Sequence, residues 1–446
     1  MSWDERREGW NQQTEDAREA ADVDFARVIH SASFRRLQGK TQILNIGDSD
    51  FYRNRLTHSL EVSQVGLGLV RQLGKDYSTH ACFSILPSST RIQAICLTHD
   101  IGHPPFGHGG EIALNYCMRG SGGFEGNGQT LRILSRLEKF SQGGGANFSR
   151  RTLLGILKYP IAYSAAYNPK LAPCLVDNTF STHILDRGSS TPPKCYLDTE
   201  CDVVEWLLRG VSTDDKYRFT KPDIADAKKH RKSLHKSFDC SIMDVADDIG
   251  YGVHDFEDAV ALKLVTQDQF REAVPELTCA QFLDALKAKY PGESANNVYD
   301  AFVANLFADG GSRKRQISRM VHHFVTNVEP YELEDFEDPI LRFRVRIKAE
   351  VKPFLDALKG LVLMKVIRSA NVQHLEFKGQ QMVVAVFEAL ASSPATLLPA
   401  PAYEKYREAN DVRVLCDYVA GMTDSYLLRT YERLFSPRMG SVFDYL

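Results

Sequence analysis

The sequence predicts an all-α protein. Apolar residues recur at i, i+3, i+4 and i+7 through most of the chain, no βαβ rhythm interrupts them, and there is no internal repeat. Length and composition are consistent with this. The 446 residues exceed a usual single domain, and 43% hydrophobic with 25% charged residues is ordinary for a globular chain. The expected organisation is an N-terminal arm over 1–24, a helical core over 25–265 with an irregular excursion at 143–199, and a C-terminal helical region over 266–446 packed on that core.

Residues 1–24 are polar and acidic and read as a surface arm. Asp24 to Leu44 has helical character with interleaved basic side chains, and 45–54 carry turn formers. Helical spacing resumes at Arg55: His58, Val62, Val65 and Leu69 fall at i, i+4, i+7 and i+11, which turns His58 inward. A loop over 75–90 precedes Ile92, Ile95, Cys96 and His99, whose spacing puts His99 on a buried face at a helix C-terminus. Glu111 to Met118 predicts the next helix, Gly120–Gly128 a loop, and 129–140 a further helix. From Gly143 to Thr199 a glycine run, many Asn, Ser and Thr residues and Pro192-Pro193 predict an excursion with short helical pieces. A compact domain keeps such a loop for a site or an interface.

Helices follow over 200–210 and from about Ser241 to Leu264. The second has an apolar stripe of Ile242, Val245, Ala246, Ile249, Val253, Phe256 and Val260. Asp247, Tyr251, His254, Asp255 and Asp258 lie opposite. Further helices are predicted over 268–290, 297–308, 315–328, 350–370, 376–393, 411–419 and 423–434. Phe343 to Lys348 alternates, which does not by itself establish a strand.

The net charge of −3 excludes a global basic field. The basic clusters at Arg35-Arg36, Arg150-Arg151, Lys228–Lys236, Arg313–Arg319 and Arg342–Lys348 are ordinary solvated faces unless they gather around a polyanion or a subunit interface. Nine cysteines without a Cys-x-x-Cys pair read as reduced thiols, and with a charged N-terminal stretch they point to the cytoplasm. No run approaches the roughly 18 apolar residues of a membrane span. Neither a phosphate-binding glycine loop nor a nucleophile elbow occurs, so phosphate chemistry here would rest on a metal and cationic side chains.

Chemistry concentrates in His99-Asp-Ile-Gly-His-Pro-Pro-Phe-Gly-His-Gly-Gly-Glu111, where three imidazoles, two carboxylates and four glycines bracket a Pro-Pro pair. An isolated His on an apolar helix face is as a rule a hydrogen-bonded core residue. Here two faces each carry one, and the second is followed directly by Asp100. Imidazole with carboxylate suits Mn, Fe, Zn or Ni better than an all-oxygen Mg site, and three ligands leave the set short. Asp247 is the candidate fourth, on a face shared by Tyr251 and Asp255 at i, i+4 and i+8; the plain alternative is a solvated acidic face. Glu111 either orients His108 from three residues away or is simply an acidic residue at a helix start. Arg55, one turn before His58, is placed to meet phosphate oxygens, although a surface Arg is equally common.

In this order, His58 … His99-Asp100 … Asp247 resembles the ligand set of the HD phosphohydrolase superfamily. Four segments resemble the deoxyguanosine triphosphate triphosphohydrolase (dGTPase-like) family more narrowly: Phe34-Arg-Arg-Leu-Gln-Gly-Lys-Thr-Gln42, Arg55-Leu-Thr-His-Ser-Leu-Glu-Val, the His99–Glu111 loop, and Ala246-Asp-Asp-Ile-Gly-Tyr-Gly-Val-His-Asp-Phe-Glu-Asp258. Phe124-Glu-Gly-Asn-Gly-Gln-Thr and Asp417-Tyr-Val-Ala-Gly-Met-Thr-Asp424 are weaker matches.

The resemblance implies hydrolysis of a deoxynucleoside triphosphate, dGTP or several dNTPs, to deoxynucleoside and inorganic triphosphate. It implies a divalent cation (Mg, Mn or another transition metal) on His58, His99, Asp100 and Asp247. Tyr251, Asp255 and Gln42 would face the sugar, with Asp255 reading the 3′-hydroxyl and Arg55 on the α-phosphate. His108 with Glu111 would be the catalytic pair, and His103 a further group on the phosphate side. A homohexamer or homotetramer is also implied, and the basic clusters leave room for a single-stranded DNA or nucleotide effector. The excursion departs from the family pattern: Lys158-Tyr-Pro fits it, while Lys194-Cys-Tyr-Leu-Asp-Thr-Glu200 is a loose echo, so base preference stays open. The alternatives are another HD-type phosphomonoesterase or phosphodiesterase, or a nucleotide- or single-strand-binding regulator.

Overall fold

The structure, a computed structural model, describes residues 2–9, 15–42, 53–177, 184–293, 297–308 and 310–437. The turn formers expected at 45–52 lie outside the described residues. The chain is all-α as predicted, with one short hairpin sheet among the described residues. The elements that build the site are α1 (Ala20–His30), α2 (Arg55–Asp76), α3 (Ser89–Thr98), α4 (Gly107–Cys117), α5 (Gly126–Arg132), α6 (Phe238–Ile249), α7 (Asp255–Ala261), α8 (Lys352–Val362), α9 (Ala370–Ser392), α10 (Arg413–Ala420) and α11 (Asp424–Phe435).

Helix α2 starts where Asn54 accepts from Thr57 N at 3.0 Å and Thr57 Oγ1 reciprocates to Asn54 N at 3.1 Å, a capping box. Its inward face is the predicted one, with His58, Val62, Val65 and Leu69 all buried. It runs against α3 and α6. Gly66 sets how close α3 comes, since a Cβ there would sit 2.6 Å from Cys96 Sγ.

Several predicted boundaries are corrected. Helix α4 begins at Gly107, not Glu111. Phe106 (φ 60°) and Gly107 (φ 55°) are both left-handed and turn the chain into the helix. Gly110 then packs where a Cβ would lie 2.0 Å from the Pro105 carbonyl oxygen. Glycines are poor helix formers, which hides this start from propensity reasoning. The single helix expected over 241–264 is two, α6 and α7, joined by a π-helical turn at Gly250–His254. Gly252 permits that turn to lie on α8, for a Cβ would meet Leu355 Cδ1 at 2.5 Å. The helix expected over 315–328 is Gly310–Val325, and Val328 belongs to a strand.

That strand, β1 (Val328–Glu332), pairs antiparallel with β2 (Phe343–Ile347), with Val328 opposite Ile347 and Glu332 opposite Phe343. The alternating Phe343, Val345 and Ile347 are buried against the core, and Val345 N donates to Ser241 Oγ of α6 at 2.9 Å. The N-terminal segment is more integrated than a surface arm. Arg6 is buried, pairs with Asp24 at 2.6 Å and donates to the Ala20 carbonyl at 2.9 Å.

Two large hydrophobic cores result among the described residues, beside a small cluster of Ile161, Tyr163, Ala166 and Cys195. The larger draws on residues from Val28 to Val366 and includes α2, α3 and α6. The smaller draws on α4, α9, α10 and α11, from Ile112 to Leu427. No described helix is long and apolar enough to cross a membrane.

Candidate active site

A cavity of about 360 Å³ opens between the two cores. That volume suits a ligand the size of a nucleotide. Its lining includes Gln42, Arg55, His58, His99, Asp100, His103, His108, Asp247 and Tyr251 among the residues singled out from the sequence. Glu111 and Asp255 are buried outside the lining.

The metal-ligand candidates converge from three helices of the larger core. Ligand atoms of His58, His99 and Asp100 lie within 4.8 Å of one another. Asp247 Oδ1 on α6 stands 3.2 Å from His58 Nε2 and 3.6 Å from His99 Nε2. His99 Nδ1–H donates to the Cys96 carbonyl at 2.7 Å, which leaves Nε2 as the lone-pair nitrogen. That Nε2 is buried and has no hydrogen-bond partner. A buried orphan acceptor is costly unless something else occupies it, so the set fits a cation.

The electrostatics agree. Burial would lower the His58 imidazole, yet its hydrogen bond to Asp247 and the charges of Asp255, Asp247 and Asp100 push it up to about 9. Burial would raise Asp100, but Arg55 and the neighbouring imidazoles hold it well below the usual carboxylate range. Asp247 is likewise held down, chiefly by Lys158. A proton retained on His58 marks excess negative potential, the condition that also attracts a divalent cation.

The cationic rim is fixed by ion pairs. Arg55 Nη1 donates to Asp100 Oδ2 at 2.8 Å, and its buried Nε has no partner. Lys158 Nζ bridges Asp244 at 2.9 Å and Asp247 at 3.3 Å. Lys194 Nζ bridges Glu111 at 3.2 Å and Glu125 at 3.0 Å. Lys158, Tyr159 and Lys194 all line the cavity, so the irregular excursion delivers three lining residues. The length of the excursion points to a site or an interface, and Lys158-Tyr-Pro fits the family pattern; the place of Lys194 in the site is what the sequence leaves unread.

The proton-handling candidates sit on the first turn of α4. His108 Nδ1 lies 3.2 Å from Glu111 Oε2, while the other Glu111 oxygen accepts from Gly126 N at 2.9 Å. Glu111 is buried and held well below its usual range by Lys194 and His108 despite desolvation. The His103 ring is 6.1 Å from that of His108. Burial and Arg55 push His103 down to about 3, so its imidazole is neutral.

The sugar-side candidates divide. Tyr251 lines the cavity from the π turn, and burial with Asp255 nearby raises its hydroxyl to about 12. Asp255 does not line it; burial pushes that carboxyl up to about 7, and its Oδ2 has no partner. The extra residue in the π turn breaks the strict i, i+4, i+8 face expected for Asp247, Tyr251 and Asp255. Gln42 lines the cavity with a buried, unpartnered Oε1. Asp248 is exposed and pairs with Lys359, which separates it from the cluster.

Comparison with known proteins adds to this geometry. The HD domain family matches residues 55–142, and the phosphohydrolase-associated domain matches residues 345–433. The chain is similar to the deoxyguanosinetriphosphate triphosphohydrolase-like protein of Shewanella sp. (strain MR-4), 44% identical over 98% of this chain and 97% of that one. A protein of the same description from Shewanella baltica (strain OS195) is 45% identical over 98% of this chain and 97% of its own. Deoxyguanosinetriphosphate triphosphohydrolase-like protein 2 of Deinococcus radiodurans is 42% identical over 99% and 98%.

Proposed function

We propose that this chain, which belongs to the family of deoxyguanosinetriphosphate triphosphohydrolase-like HD-domain proteins, hydrolyses a deoxynucleoside triphosphate to deoxynucleoside and inorganic triphosphate. The observation that carries this reading is the division of one cavity. A buried imidazole–carboxylate cluster lines it together with the exposed His108, which is backed by the buried Glu111, and Arg55, Lys158 and Lys194 stand on its wall.

In this reading His58, His99, Asp100 and Asp247 hold a divalent cation. When bound, it supplies positive charge to the phosphoryl oxygens of the α-phosphate. Arg55 keeps Nη1 on Asp100 and turns its remaining donors to the same oxygens. Lys158 and Lys194 add charge along the triphosphate. A water oxygen bonds to the α-phosphorus as the bond to the 5′-oxygen breaks. Alkoxides leave poorly, so a proton donor at that oxygen lowers the barrier. The neutral state of His103 favours His108 as the donor and leaves His103 to bind phosphate oxygen. Glu111, fixed by Gly126 and Lys194, orients His108. Tyr251 packs on the sugar, and the unpartnered Gln42 Oε1 meets its one free hydroxyl, at 3′, while Asp255 stands behind the cavity wall.

The test is turnover of each dNTP with Mg, Mn and Co, reading the phosphorus product. Inorganic triphosphate is expected. Orthophosphate or pyrophosphate would instead favour a phosphomonoesterase or phosphodiesterase on the same scaffold.

A further inference from the structure

The start of α11 reaches across to both walls of the cavity. Asp424 is buried, and its carboxylate collects three donors: Phe106 N on Oδ1 at 2.9 Å, and Thr41 N at 2.9 Å together with the Thr41 hydroxyl on Oδ2. One turn earlier, at the end of α10, the Ala420 carbonyl accepts from the buried Lys40 ammonium at 2.9 Å. The same ammonium donates to the His103 carbonyl at 2.6 Å. The Gly39 backbone packs on the Thr423 side chain at this junction, since a Cβ on Gly39 would fall 2.8 Å from Thr423 Cγ2.

These contacts grip both ends of the Pro104-Pro105 turn, His103 through its carbonyl and Phe106 through its amide. Phe106 holds a left-handed φ of 60°, which a bulky residue adopts only where its surroundings over-determine it. The conformation matters because the next residues, Gly107 and His108, open α4 and aim the His108 imidazole. The same carboxylate fixes Thr41, which lines the cavity together with its neighbour Gln42.

Resting on the hydrolase reading above, we propose that Asp424 is a positioning residue. By holding Phe106 and Thr41 on one carboxylate, it sets the aim of His108 and the spacing of the two cavity walls. Lys40 completes the clamp. Neither residue lines the cavity, so both act through the groups they hold.

The full chain carrying Asp424→Asn keeps the shape but replaces one acceptor oxygen with a donor facing donors. Hydrogen–deuterium exchange should quicken in peptides covering 100–110 and 38–42, with metal content and melting temperature close to wild type. Turnover should fall about 100-fold, the scale of a misplacement near 1 Å. In a His108→Ala background the same substitution should cost about tenfold or less, because the part of its effect that passes through His108 is already removed and only the part through Thr41 remains. Unchanged local exchange, or an equal loss with and without His108, overturns the clamp. Should Asp424→Asn not fold, Thr41→Val removes one donor only. It should quicken exchange at 38–42 and raise KM more than it lowers kcat; exchange and KM both matching wild type would overturn the proposal. The exchange measurement needs no substrate. A wild-type chain that releases no triphosphate would therefore sink the hydrolase reading without deciding the clamp.

Discussion

His108 and Glu111 form a hydrogen bond of 3.2 Å in which the imidazole side chain is 66% exposed and its carboxylate partner 3%. The Nδ1–H donates to the carboxylate, so Nε2 is the nitrogen free to exchange a proton with a ligand in the cavity. The carboxylate cannot swing away, because Gly126 N and Lys194 hold its other oxygen. In the proposed reaction this geometry serves as an oriented acid–base pair.

We expect His108→Ala to lower kcat by about 10²- to 10⁴-fold, the usual range for a general acid or base. Bound metal should be unchanged, since His108 touches none of the proposed ligands. Glu111→Gln should lose less, because Glu125 remains on Lys194. Steady-state kinetics beside metal analysis on the same preparations decides; metal lost together with activity in His108→Ala would contradict the division of the site.

Asp247→Ala should lose both metal and activity. The carboxylate bridges His58, His99 and Lys158, and removing it leaves the buried imidazoles short of counter-charge, while Lys158 keeps Asp244. Asp248→Ala should keep the metal. Metal retained in Asp247→Ala and lost in Asp248→Ala would move the ligand by one residue.

Acid stability should depend on His323. Its ring is buried between Phe282 and Phe324, at 5.3 and 5.8 Å, and burial pushes it down to about 4. The unfolded value is about 6.5. Between those pH values the unfolded chain binds a proton that the native state refuses, so stability present above pH 6.5 is lost as pH falls towards 4. The loss is roughly 2–3 kcal/mol. Thermal melts of His323→Leu from pH 7 to 4 should show a flatter profile than wild type, and parallel profiles would refute the assignment.

Gly66→Ala should push α2 off α3. Its Cβ would meet Cys96 Sγ at 2.6 Å, an overpacking that costs about 1–3 kcal/mol. Adding Cys96→Ala removes the clashing sulfur and should recover most of the loss. A double variant no more stable than Gly66→Ala alone would show that this contact does not set the helix spacing. The His58 and His99 rings, 5.4 Å apart on the same two helices, give the experiment a second readout in metal affinity.

The helices of the larger core were legible because their buried faces follow 3.6-residue spacing: every residue of the His58, Val62, Val65, Leu69 series is buried. The π turn at Gly250–His254 was not, since it depends on what α8 presses against Gly252. The start of α4 was hidden by its own glycines. Strand β2 showed its alternation, but its partner Val328–Glu332 contains a proline and reads as nothing in particular. In the cavity, residues grouped within short stretches could be found from spacing, as with His99, Asp100, His103, His108 and Glu111. Lys194 could not, because its partner Glu111 is 83 positions away, nor could the pairing of Thr41 with Asp424, 383 apart. Contacts at that separation leave no periodic trace.

The cavity lies on a seam. The proposed cation ligands belong to helices of one apolar core and the His108–Glu111 pair to a helix rooted in the other. Warming should therefore inactivate the protein before it melts. A slip of a fraction of an ångström along the seam parts the two halves while each core stays folded, so helicity measured by circular dichroism would persist at temperatures where turnover has already gone.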